Sequence, residues 1–136
     1  MGRILAIDYG TKRVGIAVSD TLHISANGLE TLPEEKVLEF LKKYTSENEV
    51  EKILIGYPLN LNGNDTHATQ SVREFISKLE KTFPGIAIQK RDEAFTSKMA
   101  VKALLQSGMK KKARRRKENI DKMSAVLILQ EYLQSL

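Results

Sequence analysis

Two short apolar runs open the chain, Ile4–Ile7 and Val14–Val18, and a polar turn of Gly10, Thr11, Lys12 and Arg13 separates them. Runs of this length, rich in β-branched residues and bounded by turn chemistry, predict a β-hairpin. Gly10 lets the backbone turn tightly, and Gly15 opens space beside the neighbouring strand. From Leu22 to Leu32 the pattern is weak, with Gly28–Leu32 expected as a third, edge strand. Pro33 then introduces a helix, with Glu34 and Glu35 suited to its positive end. Val37, Leu38, Leu41 and Tyr44 recur at helical spacing, and Ser46–Glu49 ends the helix. Lys52–Gly56 is a short buried strand stopped by Tyr57-Pro58. A polar loop, Asn60–Thr66, follows, in which Asp65 or Thr66 is placed to cap the next helix. There Val72, Phe75, Ile76, Leu79 and Phe83 form an amphipathic face, which Pro84-Gly85 terminates.

Ile86–Gln89 is the next strand, delivering Lys90, Arg91, Asp92 and Glu93 at its end. Thr96 or Ser97 caps a helix running to about Ser107, and Gly108 ends it. The last helix is expected from about Asn119 to Leu133. Its middle, Ala125–Leu129, is apolar on every side, which predicts burial against a sheet. The order is therefore β-β-β-α-β-α-β-α-α. Three strands joined by short turns, then two entered through helices, give an α/β fold: a five-stranded mixed sheet with helices on both faces. Right-handed crossovers make the last two strands parallel to the first.

Length and composition add bounds. The 136 residues are expected to form one domain, 1–136, long enough to bury a core. There is no run of about 18 apolar residues, hence no predicted membrane span. The opening residues lead straight into a strand, without the apolar stretch of a signal peptide, so the expected compartment is the cytoplasm. With no cysteine there is no disulfide, thiol nucleophile or zinc-thiolate site. The net charge of +5 becomes informative once located. Lys110, Lys111, Lys112, Arg114, Arg115, Arg116 and Lys117 supply seven of the 22 basic residues. The rest of the chain carries 15 basic side chains against 17 acidic ones, so a slightly acidic body bears one concentrated basic segment. Such a segment, expected as a mobile loop over 109–118, is what a phosphate backbone attracts. Like charges packed this tightly seldom help a fold.

Three acids fall at the ends of elements. Asp8 closes the first strand, Glu93 follows the fifth, and Asp121 opens the last helix. Asp8 comes directly after a run that reads as fully buried, where a carboxylate is costly unless hydrogen-bonded, paired or bound to metal. Parallel strands that start at one edge of a sheet end at the same edge, where ligands of open α/β sheets bind. A helix packed across that edge brings Asp121 to Asp8 and Glu93. Clustered carboxylates without His or Cys favour Mg²⁺ or Mn²⁺. Two such ions about 4 Å apart activate a water and stabilise the leaving oxygen of a phosphodiester, with Asp8 bridging them. Alternatives stay open: Asp92 in place of Glu93, and Asp121 as a first-turn helix residue only. Asp20 is expected in a structural turn role, and His23 and His67 as surface residues. Lys12 and Arg13 beside Asp8, together with Arg91, are candidates for phosphate contact.

The stretch from Asp8 to Asp20 matches Asp-x-Gly-x-Lys-Arg-x-Gly-x-Ala-x-Ser-Asp at every defined position, and so resembles the opening motif of the YqgF (RuvX) family, relatives of the RuvC resolvase. Gly56-Tyr57-Pro58-Leu59-Asn60 with Gly63 is similar to its Gly-x-Pro loop. Asp92-Glu93 with Thr96-Ser97 is similar to its Asp-Glu-Arg-x-[Ser/Thr]-[Ser/Thr] motif, and Ile120–Leu129 to its closing Ile-Asp-x-x-Ala-Ala motif. The Asp-x-Gly-Thr hairpin of actin, Hsp70 and sugar kinases is a rival, but those proteins use two such domains over several hundred residues. Two positions depart from the family pattern: Ala94 replaces its Arg, leaving any phosphate contact to Arg91, and Ser124 replaces the first closing Ala. The wider superfamily often carries an acid at the end of strand four, where Gly56-Tyr57-Pro58 stands here.

The resemblance implies an RNase H-like fold and a metal-dependent nuclease that matures the 5′ end of the 16S ribosomal RNA precursor. By analogy with RuvC it also implies a Holliday-junction resolvase. It supports Asp8, Glu93 and Asp121 as catalytic metal ligands. The expected partners are nucleic acid (an rRNA precursor or branched DNA) and a ribosomal subunit; the chain itself is expected to be a monomer or homodimer. A non-catalytic nucleic-acid-binding module, using the basic loop alone, is the reading from another class.

Overall fold

A computed structural model describes residues 2–9, 13–57, 67–92 and 117–136, with the backbone alone described at 57, 67–69, 92 and 117–121. Its elements are β1 (Arg3–Tyr9), β2 (Val14–Ser19), β3 (Ala26–Leu32), α1 (Glu34–Glu47), β4 (Val50–Tyr57), α2 (His67–Thr82), β5 (Ala87–Asp92) and α3 (Lys117–Gln134). The five strands form one sheet in the order β3-β2-β1-β4-β5. β1 pairs antiparallel with β2, and β2 antiparallel with β3. β4 runs parallel to β1, and β5 parallel to β4. The mixed sheet, its strand directions and its edge strand β3 are those expected from the hydrophobic pattern.

Strand alternation sorts the apolar side chains into two cores, one per face. Leu5, Ile7, Val14, Ile16, Val18, Ile53 and Ile55 pack with Val37 and Leu41 of α1 and with Val72, Phe75, Ile76 and Leu79 of α2. Ile4, Ala6, Ala17 and Leu54 pack with Ala125, Val126, Ile128, Leu129 and Tyr132 of α3. The sheet residues against α3 are smaller, which lets that helix lie close. The expected burial of its apolar middle is met: four of the five residues from Ala125 to Leu129 are buried and Leu127 is half-buried.

Several boundaries differ from expectation: β3 begins at Ala26 rather than Gly28, and β4 runs through Tyr57. β5 does not stop at Gln89: Lys90, Arg91 and Asp92 continue it, in register with Ile55, Gly56 and Tyr57 of β4. Their polarity hid the strand, since at a sheet edge the backbone ladder holds residues that carry no apolar signature. β4 begins at Val50 rather than Lys52. α3 begins at Lys117, so the last basic residue of the charged run lies within the helix; lysine and glutamate are good helix formers and extend it upstream of Asn119. The expected cap at Asp65 or Thr66, the helix to about Ser107 and most of the 109–118 loop lie outside the described residues.

A tie at each end of β1 fixes the sheet. At its start the Ile4 amide donates to the buried Ser19 hydroxyl (2.9 Å), Ser19 Oγ donates to the Asp20 carbonyl (2.9 Å), and Arg3 donates to the Ser19 carbonyl (3.2 Å). At its end Tyr9 is buried, its ring 5.1 Å from that of Phe75 in α2. Its hydroxyl donates to Glu34 at the start of α1 and accepts from Ser71 of α2. Burial first, then the Glu34 hydrogen bond and charge, push the Tyr9 phenol well above its ordinary range.

These buried polar groups generate two predictions. The Ser124 hydroxyl is fully buried with no hydrogen-bond partner among the described residues. Ser124→Ala should raise stability by about 1 kcal/mol, a few degrees in Tm, because an unpaired buried hydroxyl and a poorer helix former are removed together. A lower Tm in a thermal melt would show that the hydroxyl is bonded. For Tyr9 the folded state holds the proton more tightly than the unfolded chain. Its contribution is therefore complete below the ordinary phenol pKa of about 10 and is lost as pH rises beyond it. Burial of Tyr44 acts in the same direction. Melts from pH 8 to 11.5 should show stability falling at the alkaline end, and Tyr9→Phe should flatten that limb in part. An unchanged limb in the variant would remove Tyr9 as a cause.

Candidate functional site

The register of the sheet defines one row across its carboxyl edge. Asp8 of β1 is paired with Gly15 of β2 on one side and with Gly56 of β4 on the other. Beyond them lie Thr31 of β3 and Arg91 of β5. Paired residues share a face, and Asp8 has the phase of Ile4 and Ala6, which pack against α3. Asp8 is thus on the α3 face, flanked on both sides by residues without side chains. It is 8% exposed and is the only carboxylate among the buried described residues. Neighbouring strands lie about 4.8 Å apart, and neither neighbour of Asp8 in the row carries a side chain.

α3 runs from this edge toward the opposite one. Near its start, Lys122 lies over β3: a Cβ on Gly28 would be 2.8 Å from its Cγ and Cδ. Near its end, Gln130, Leu133 and Gln134 line a groove of about 350 Å³ with His23–Ala26, at the β2–β3 turn. The start of the helix therefore lies toward the edge where β1 ends. Asp121 is the fifth residue of α3, not its opening residue. That corrects the expectation and sets aside a capping role, since cap and dipole effects are confined to the first turn. Asp121 precedes Ala125 by four residues, Ile128 by seven and Tyr132 by eleven, all of them buried against the sheet. This is the spacing of one helical stripe.

The remaining candidates divide in two. Arg13 is half-buried and immediately precedes β2, beside the Tyr9–Val14 pair that follows Asp8 in register. Arg91 is drawn toward α3: its guanidinium is 3.7 Å from Glu131 and 5.5 Å from the centroid of the Tyr132 ring. Lys117 falls in the first turn of α3. Lys12, Glu93, Lys110, Lys111, Lys112, Arg114, Arg115 and Arg116 lie outside the described residues. Asp92 is in β5, in register with Tyr57 and one step out of phase with Arg91.

Residues outside the proposed chemistry also have defined places. Asp20 takes its expected structural role, its Oδ1 accepting the amides of Ile24 (2.7 Å) and Ser25 (3.2 Å), with the Ile24 bond foremost in holding its carboxyl below the usual range. His23 is not a free surface residue. Its Nε2 lies 2.8 Å from the Gly2 carbonyl and 3.2 Å from Glu51 Oε1, and its φ of 58° is left-handed. Sequence reading could not find this, because the partners are distant in the chain. His67 is the first residue of α2. Tyr132 was equally hidden. It receives a 2.6 Å hydrogen bond from Lys52 Nζ, which lies 4.9 Å from its ring centroid.

No described helix is long and apolar enough to cross a membrane. Compared with solved structures, the fold is similar to that of Thermus thermophilus RuvC in complex with a Holliday junction substrate. The TM-score is 0.64, over 99% of this chain and 95% of that one, at 12% identity. A second Thermus thermophilus RuvC structure gives 0.56 at 14% identity, over 98% and 95% of the two chains. At such identities the likeness is one of fold, the RNase H-like architecture of RuvC. Sequence relatives are much nearer. A Flavobacterium psychrophilum protein named "Putative pre-16S rRNA nuclease" is 47% identical over 133 residues, 98% of this chain and 97% of its own length. A protein of the same name from Phocaeicola vulgatus is 45% identical over 135 residues, 99% and 97% of the two chains. The family model described as "RuvX: Holliday junction resolvase" matches residues 2–135. With both cores, the Asp8 row and nearly the whole chain inside that match, the protein belongs to the RuvX family.

Proposed function

We propose that the chain is a nuclease that hydrolyses phosphodiester bonds of a ribosomal RNA precursor, in maturation of the 5′ end of 16S rRNA. The names of its relatives support that substrate. The observation that carries the chemistry is Asp8, a buried carboxylate cradled between Gly15 and Gly56 at the carboxyl edge of the sheet. A charge is kept in such a place only when something there compensates it.

The donor set fits Mg²⁺ or Mn²⁺. Asp8, Glu93 and Asp121 would hold it through carboxylate oxygens, with glycine on each side of Asp8 in the sheet. Glu93 is kept ahead of Asp92 on its match to the family's Asp-Glu motif, and it lies outside the described residues. Asp121 is favoured by its stripe on α3. When bound, the metal supplies water activation and stabilisation of the leaving oxygen. The chain itself excludes bulk water from Asp8 with the α3 core, and orients the carboxylate through the β1 ladder and the Tyr9 anchor. Arg13 beside that edge, Lys12, and the cluster Lys110–Lys117 would neutralise the phosphate backbone. The body is cytoplasmic, the compartment of ribosome assembly.

A second reading, a Holliday-junction resolvase, is favoured by the description of the family model. Symmetric cleavage of a junction calls for a two-fold dimer.

Two experiments test these readings. End-labelled precursor 16S RNA and a four-way DNA junction, incubated side by side with Mn²⁺ or Mg²⁺, should show cleavage of the RNA by the wild type. Asp8→Asn should lower cleavage by about a hundredfold or more while leaving the fold intact, the scale on which loss of a group meeting developing charge acts. Cleavage that persists in Asp8→Asn would overturn the carboxylate mechanism, and cleavage of the junction alone, by a dimer, would select the resolvase. In the second experiment, neutralising the basic residues of Lys110–Lys117 should weaken RNA binding. For each phosphate that is no longer neutralised, the salt slope should fall by about 0.7 on single strands and about 0.9 on duplex DNA. An unchanged slope would remove the segment from the interface.

A further inference from the structure

The Tyr132 ring is gripped from two strands at once. Lys52 near the start of β4 donates to its hydroxyl at 2.6 Å and lies 4.9 Å from its centroid. Arg91 near the end of β5 stands 5.5 Å from the same centroid. Arg91 also reaches Glu131 at 3.7 Å, but Glu131 is 73% exposed, so that pair contributes little. Cation–π contacts and a charge-assisted hydrogen bond on a buried tyrosine are worth more, and they are directional. Most of the remaining α3 contact with the sheet is apolar, made by alanine, valine, isoleucine, leucine and Met123 with the Lys122 stem over Gly28, and such contacts resist separation but are not directional.

We propose that Tyr132, held between Lys52 and Arg91, is a positioning residue that sets the rotation of α3 and with it the place of Asp121 at the carboxyl edge. Tyr132 and Asp121 belong to the same stripe, eleven residues apart, so the helix cannot turn at one without turning at the other. With side chains reaching about 5 Å from the helix axis, a turn of about 20° moves a carboxylate by nearly 2 Å. Displacements of about 1 Å at a reacting centre cost about a hundredfold in rate. Arg91 on this account acts through Tyr132 rather than by meeting substrate. The inference rests on the reading of Asp121 as a metal ligand.

The test measures Mn²⁺ binding by calorimetry without nucleic acid, alongside kcat and KM for RNA and a thermal melt. Tyr132→Leu should remain folded at the assay temperature, bind Mn²⁺ about tenfold more weakly and lose kcat with KM nearly unchanged. Tyr132→Phe, which keeps the ring beside Arg91 but loses the Lys52 hydrogen bond, should recover part of the loss. Arg91→Met removes one jaw without touching the buried ring and should weaken Mn²⁺ binding in the same direction, so the proposal stands testable if Tyr132→Leu does not fold. Wild-type Mn²⁺ affinity in Arg91→Met or in folded Tyr132→Leu, when Asp121→Asn has lost it, overturns this inference alone. A wild type that binds no Mn²⁺ overturns it together with the metal reading.

Discussion

A carboxylate at the end of a strand buried on both faces is the constraint on which the rest of this structure depends. β1 is covered by α1 and α2 on one side and by α3 on the other, and its residues from Ile4 to Tyr9 are all buried. An ionised group in that strand is tolerated only where compensation is built in. The fold meets the demand by geometry. Tyr9 is packed into the opposite core and bonded to both α1 and α2, so the strand end cannot swing. The alternation of the strand then fixes Asp8 toward α3, between two residues that carry no side chain.

α3 is the second half of that arrangement. It crosses the sheet with its start toward the Asp8 edge and its end at the β2–β3 turn. Small residues on both sides of this interface, Ala6, Ala17 and Ala125, bring helix and sheet close. Close packing of small residues gives a flat contact with few interlocking knobs. The directional holds on the helix are therefore polar and lie at its far end, where Lys52 and Arg91 meet Tyr132. The fully buried Ser124 hydroxyl, without a partner among the described residues, lies in the same helix.

What could be read from the sequence was whatever repeats locally. The β1–β2 hairpin, β4 and the faces of α1 and α2 follow from apolar runs and helical spacing, and the strand order follows from their sequence with right-handed crossovers. Asp8 stood out because a charge directly followed an apolar run. β5 was foreshortened because Gln89, Lys90, Arg91 and Asp92 carry no apolar pattern, although the backbone ladder with β4 holds them. Asp121 was read as the opening of its helix because the basic run ahead of it looked like loop, whereas Lys117 and Glu118 already belong to α3. The contacts of His23 with Gly2 and Glu51, and of Tyr132 with Lys52, join residues 21 to 80 positions apart. No local pattern encodes such pairs.

The absence of an acid beside Asp8 at the end of β4 now has a physical counterpart. In the row Gly15–Asp8–Gly56–Arg91, the position next to Asp8 on the parallel side is a glycine. A carboxylate there would lie about 5 Å from Asp8, close enough for strong mutual repulsion in a buried site. With glycine at 56 that repulsion is avoided. Among the described residues, the end of β5 at Asp92 and the start of α3 lie toward that edge. Glycine at 56 thus leaves Asp8 as the one carboxylate of this row among the described residues.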